Sequence, residues 1–146
     1  MRTVVSWNSM IAGYANLDKF IDALNFYKWM LCDGYRPDIS TIVSLLSSCI
    51  QPDKLLQGCC QTGALELGKW IHNYAFSNGL RDSIVVCNAL IDMHAKCGNI
   101  NSAQELFYAL PVRTVVSWTT MIAGFALNGN YKEALDLFCL MVFLRK

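Results

Sequence analysis

The chain is 146 residues long and carries a net charge of +1, from 12 basic and 11 acidic residues. That balance excludes a strong electrostatic footprint for nucleic acid, so any such partner has to be argued from specific positions. A hydrophobic share of 54% supplies a core and excludes a disordered chain.

In chain order, the first apolar stripe is Trp7, Met10, Ile11 and Tyr14, and the second is Phe20, Ala23, Leu24, Tyr27 and Met30. Both follow helical spacing. The polar break "NLDK" at 16–19 separates them. The second helix is expected to end at "CDGYRPD" (32–38), where Gly34 can take the left-handed cap conformation and Pro37 stops continuation. Next come a helical "ISTIVSLLSSC" and "GALELGKWIHNYAFSNGL", the latter running into a Gly79 cap. The ten residues at about 50–59 stand between those two helices as an insertion. Such a loop either contacts a partner or is simply tolerated, since loop insertions cost little when their ends stay close.

Seven cysteines are present, an odd number with no C-x-x-C pair, so buried reduced thiols are expected rather than a disulfide framework. His72 and His94 stand alone, without paired ligand spacing, and no zinc site or other cofactor is expected. The most apolar stretch, Leu135–Leu144, carries Asp136 and falls short of the about 20 apolar residues needed to cross a bilayer.

The hexapeptide "RTVVSW" occurs twice, at 2–7 and 113–118. A shift of 111 residues aligns Arg2–Met30 with Arg113–Met141 and gives 14 identities in 29 positions. Self-similarity at a fixed offset marks a repeat protein. A third copy, "IVVCNALIDMHAKCGNINSAQELFYALPVRT" at 84–114, keeps Val85, Asn88, Ile91, Ala95 and Ala103 in register with Val5, Asn8, Ile11, Ala15 and Ala23. The chain therefore divides into units 4–38, 39–83, 84–114 and 115–146. The seventh position of the units reads Met10, Leu45, Leu90 and Met121, and the eighth Ile11, Leu46, Ile91 and Ile122. The twentieth, allowing for the insertion, reads Ala23, Gly68, Ala103 and Ala134, small residues that let paired helices approach closely. A lone hairpin cannot bury both apolar faces, so neighbours stack. The expected fold is all-α, a right-handed α-solenoid of tandem helix-turn-helix repeats. Its first and last units open and close within repeat-like sequence, which leads us to expect a fragment or a truncated gene product.

"VVSWNSMIAGYA…DALNFYKWMLCDGYRPD" and "VVSWTTMIAGFALNGNYKEALDLF" resemble the pentatricopeptide repeat pattern, more narrowly the mixed-length PLS class of land plants. "SLLSSC…TGALELGKWIH" resembles that class's long unit, and the copy at 84–114 its short one, for an order P–L–S–P with the last P incomplete. The tetratricopeptide repeat shares the hairpin plan but has a constant period near 34 residues and a W-x₂-L-G-x₂-Y signature not found here.

The resemblance implies single-stranded RNA binding, one nucleotide per repeat. In that family the fifth and last positions of a repeat hydrogen-bond the base edge, while the second packs against base faces. By register, the first unit supplies Val5, Asn8 and Asp38, a set resembling the pairing that favours uracil. The second supplies Ser40, Val43 and Ser83; valine cannot hydrogen-bond a base, so this unit reads as a spacer. The third supplies Val85, Asn88 and Thr114, where Asn suggests a pyrimidine but Thr114 departs from the usual Asp or Asn. The fourth supplies Val116 and Thr119, which leans towards a purine. Trp7, Trp29, Trp70 and Trp118, at helical spacing with Met and Ile, are expected in the core rather than as stacking platforms.

The resemblance also implies a role in organellar RNA processing or C-to-U editing, in mitochondrion or chloroplast, with processing or editing factors supplied in trans. The paired H-x-E and P-C-x-x-C of a cytidine deaminase does not occur, so no enzyme activity is expected. Two other classes remain open: a solenoid scaffold that takes a peptide in its groove, and a truncated product without autonomous activity.

Overall fold

The computed structural model describes residues 2–17, 19–48 and 61–145. Among them are eight α-helices and no strand: α1 (Val4–Asn16), α2 (Phe20–Cys32), α3 (Ile39–Ser48), α4 (Gln61–Ser77), α5 (Ile84–Lys96), α6 (Ile100–Ala109), α7 (Val115–Leu127) and α8 (Tyr131–Leu144). A 3₁₀ turn, Leu80–Asp82, precedes α5. The insertion expected at about 50–59 lies outside the described residues.

The starts of α1, α3, α5 and α7 share one device. Thr3, Asp38, Ser83 and Thr114 each accept a hydrogen bond through the side chain from the backbone N–H three residues on, at Ser6, Thr41, Val86 and Ser117. Ser, Thr and Asp suit this place because a short side-chain oxygen satisfies an amide that the first helical turn leaves unpaired. The end of α2 is equally specific. Gly34 lies at φ 82°, Tyr35 N donates to Met30 O (3.1 Å) and Gly34 N to Leu31 O (3.0 Å). That crossed pair is a Schellman cap, and its left-handed residue is strained for anything with a Cβ. The same crossed pair closes α5 and α7, before α6 and α8.

The described residues fall into two compact units, one up to Leu80 and one from Arg81. In the first, α1 packs on α2 and on α3, and α3 on α4. Ile11, Ala23, Tyr27, Met30, Ile42, Leu45, Leu46, Ile71 and Ala75 are buried in it. In the second, α5 packs on α6 and α7, and α7 on α8. Its core holds Val86, Leu90, Ile91, Met93, Ala103, Phe107, Met121 and Leu137. Each Leu or Ile so placed is worth about 1.5–3 kcal/mol over exposure. The four small residues of the twentieth position, Ala23, Gly68, Ala103 and Ala134, are all buried.

The seventh and eighth positions follow the expected rule except at two places. Met10 is 44% exposed, whereas its counterpart Met121 is fully buried against the second unit's helices. Ile122 is half-buried, whereas Ile11 is fully buried. Of two nearly identical helices, α7 is covered by α5 on a face that α1 leaves open: Met10 lines an open cavity of about 500 Å³ with Arg2, Ser6, Trp7, Phe26 and Trp29.

Two further expectations are corrected. Trp7 is buried and Trp118 half-buried, but Trp29 and Trp70 are exposed. Both sit on second helices and lie against other rings, Trp29 edge-on to Phe26 (5.1 Å) and Trp70 stacked on Tyr74 (5.7 Å). Such rings cover apolar area without entering the core. Of the described cysteines all four are free, yet only Cys87 is buried; Cys32 and Cys139 are exposed. Among the described residues no helix is long and apolar enough to cross a membrane.

Candidate functional site

The second and fifth residues of α1, α3, α5 and α7 lie three apart, hence on one face of the first helical turn. Val5, Val85 and Val116 are 72%, 58% and 58% exposed, and Ser40 is exposed beside them in kind. Valine thus recurs, exposed each time, at this register position in three of the four first helices. Next to them stand Asn8, Val43 and Asn88, all half-buried, and Thr119, which is exposed.

At the first unit the structure brings the expected pair together. Asn8 Nδ2 donates to both carboxylate oxygens of Asp38, at 2.9 and 3.0 Å, across 30 residues of sequence. Asp38 meanwhile caps α3: its Oδ1 accepts from the Thr41 amide (3.0 Å), and its own amide donates to Thr41 Oγ1 (3.2 Å). The Thr41 hydroxyl also contacts Asp38 Oδ1 (3.1 Å) and donates to Asn8 Oδ1. Partial burial works against charge on Asp38, but hydrogen bonds from the Thr41 backbone, the Asn8 and Thr41 side chains and the Ser40 backbone outweigh it. The carboxyl titrates below its ordinary value and stays an acceptor.

The other units differ. Ser83 caps α5 and is half-buried, and Val43 offers its unit no polar atom. Thr114 forms a reciprocal capping box with Ser117, Ser117 Oγ accepting from the Thr114 amide at 3.2 Å. No hydrogen bond joins Thr114 to Asn88, and Asn88 Oδ1 is buried without a partner. The hydroxyl of Thr119 donates back to its own helix, at Val115 O (2.9 Å) and Val116 O (3.2 Å), leaving lone pairs outward. Thr41 is the residue of this site that sequence reasoning missed. Its signal was the D-x-x-T spacing, a capping box across the unit boundary.

The helical hairpins and their recurring caps have a counterpart in known proteins. The PPR repeat family model matches residues 2–51, and the PPR repeat model matches residues 85–113 and 116–144. The chain belongs to the pentatricopeptide repeat (PPR) family. A mitochondrial pentatricopeptide repeat-containing protein of Arabidopsis thaliana, At4g19191, is 47% identical over 144 residues, which is 98% of this chain and 20% of that protein. A chloroplastic one from the same plant, At4g25270, is 37% identical over 137 residues, 94% of this chain and 24% of its own length. The crystal structure of the PPR protein PPR10 in complex with an 18-nt psaJ RNA element superposes with a TM-score of 0.73 at 22% identity. It covers 97% of this chain and 20% of that one. The solenoid fold of PPR proteins is therefore the fold of this chain. The chain spans about a fifth of the length of these relatives.

Proposed function

We propose that this chain is a sequence-selective, single-stranded RNA-binding module that reads one base per repeat. The repeats are 4–38, 39–83, 84–114 and 115–146. The observation that carries the reading is the Asn8–Asp38 hydrogen bond beside the exposed Val5, an arrangement with no structural need for the valine. Val5, Ser40, Val85 and Val116 pack against base faces, apolar surface against π surface. The fifth positions meet base edges, and the capping residues Asp38, Ser83 and Thr114 hold or modify them. PPR10, whose fold this chain shares, is seen with RNA.

Chemistry assigns the preferences. Uracil presents one donor, N3–H, between two acceptors. Asn8, with one N–H and one Oδ1 lone pair left over, complements a donor and an acceptor of that edge. Val43 has nothing to offer, so the second nucleotide is unselected. Asn88, the register equivalent of Asn8, suits a pyrimidine through its amide. Thr119 turns lone pairs outward, which fits the exocyclic amine of adenine. The order is U–any–pyrimidine–purine, 5′ to 3′ along the chain. The module is a non-catalytic RNA reader in organellar RNA processing or C-to-U editing, in mitochondrion or chloroplast, with the chemistry supplied by factors in trans. The organellar names of its relatives support that location.

Titration of the chain with short RNA oligomers that vary one base at a time tests this. Asn8→Thr is expected to change the preference at one nucleotide and leave the others. Equal loss of affinity for every oligomer, or binding of a peptide in place of RNA, overturns the reading.

A further inference from the structure

Asn8 and Asp38 are held by a third side chain, which comes from the next repeat. Thr41 is fully buried, so its own atoms do not reach a ligand in the groove. Its hydroxyl oxygen nonetheless lies within hydrogen-bond distance of the Asp38 amide, Asp38 Oδ1 and Asn8 Oδ1. The carboxamide of Asn8 is therefore gripped at both ends, by an acceptor-only carboxylate at Nδ2 and a hydroxyl donor at Oδ1. A flip of the amide would set Oδ1 against the acceptor-only carboxylate and lose that bond, and it would turn the Thr41 hydroxyl from donor to acceptor. One N–H and one lone pair remain, in a fixed order and plane.

The other repeats show the arrangement without this third bond. Ser117 occupies the place equivalent to Thr41, is also fully buried, and makes the contacts to Thr114 that Thr41 makes to Asp38, but none to Asn88. Asn88 is left with a buried, unpartnered Oδ1. The third residue of α5 is Val86, which has no hydroxyl.

We propose that Thr41 is a positioning residue for base discrimination at the first repeat: it fixes the orientation in which Asn8 meets the base edge. The inference rests on the base-reading role proposed above for Asn8 and Asp38. Uracil and cytosine present donor and acceptor in opposite order, so a carboxamide locked in one orientation separates them. One that can rotate about its last torsion separates them less. The third residue of α3 thus belongs to the reading site of the repeat before it.

The test uses the whole chain as wild type, Thr41→Val and Thr41→Ser, with two readouts. The first needs no RNA: the paired Nδ2–H signals of Asn8 in a ¹H–¹⁵N spectrum. The second is binding of oligomers with U or C opposite Asn8, and separately opposite Asn88. Thr41→Val, which keeps the shape and drops the hydroxyl, is expected to move the Asn8 signals. It should cut the U-over-C preference at that nucleotide about three- to tenfold, the worth of one hydrogen bond. Preference opposite Asn88 stays as it was, and Thr41→Ser restores both readouts. Unmoved Asn8 signals, or an equal loss of affinity for U and C oligomers, overturns the assignment. A wild-type chain that does not distinguish U from C overturns the base-reading role itself, and the RNA-free spectra still decide whether Thr41 positions Asn8.

Discussion

A Cβ built on Gly124 would lie 2.8 Å from the Cβ of Ala95, closer than carbon atoms tolerate, so helices α5 and α7 touch through a glycine. Gly13 stands at the same place in α1, within the same "MIAG" sequence, and meets nothing within 4 Å. Gly124→Ala is therefore expected to destabilise the chain by about 1–3 kcal/mol through overpacking. Gly13→Ala should stabilise it by about 0.5–1 kcal/mol, since alanine loses less backbone entropy in a helix. Urea unfolding of the two variants checks the opposite signs.

Met10 and Met121 lie one turn before these glycines, on the same face, and the contrast extends to them. Met121→Ala empties a fully buried site and should cost about 2–4 kcal/mol. Met10→Ala removes a side chain that is already 44% exposed, and less than about 1 kcal/mol is expected. Equal losses in thermal or urea unfolding would show that Met10 is covered in solution.

These pairs mark what the sequence could and could not tell. The helices were legible because the apolar period, the Gly34 turn and the small residues at Ala23, Ala103 and Ala134 depend on chain-local pattern. The exposure of Met10 and Trp29 and the half-burial of Ile122 were not, because burial depends on what packs opposite, and the same "MIAG" segment stands in two surroundings. The Asn8–Asp38 pair was expected through the family's register, and its bond follows from Asp38 being the cap of α3. The failure of Asn88 to find Thr114 could not be read from spacing. Thr114 and Ser117 satisfy each other as Asp38 and Thr41 do, but Thr114 has one side-chain oxygen where Asp38 has two.

Asp38 gives the first repeat a pH dependence with a definite sign. Its folded-state pKa lies below the ordinary 3.8, because its hydrogen-bond donors favour the charged form over the opposing effect of burial. The stability it contributes is thus complete above the unfolded value and is lost as pH falls through the depressed one. Asp38→Asn lacks that charge at every pH. The gap in unfolding free energy between wild type and Asp38→Asn should be widest near neutrality and shrink below about pH 4. Parallel denaturation curves across that range check it, and a gap that grows in acid would contradict the assigned hydrogen bonds.

The unused acceptor of Asn88 allows the first repeat's arrangement to be rebuilt in the third. Thr114→Asp places a carboxylate where Asp38 stands in the first repeat, still able to cap α7 by accepting from the Ser117 amide. The carboxylate adds a second oxygen that can accept from the Asn88 amide, as Asp38 does from Asn8. The Ser117 hydroxyl then has two acceptors to choose between, the carboxylate and the Asn88 Oδ1 that is buried without a partner, as Thr41 has in the first repeat. Two gains should follow together: about 0.5–1.5 kcal/mol of stability from satisfying Asn88, and a U-over-C preference at its nucleotide raised about three- to tenfold. Adding Ser117→Thr matches the first repeat fully and should enlarge the preference further. Oligomers varied at that base, read beside the unfolding midpoint of each variant, separate the two gains. Stability without altered preference would mean that Asn88 closes its hydrogen bonds but does not face a base.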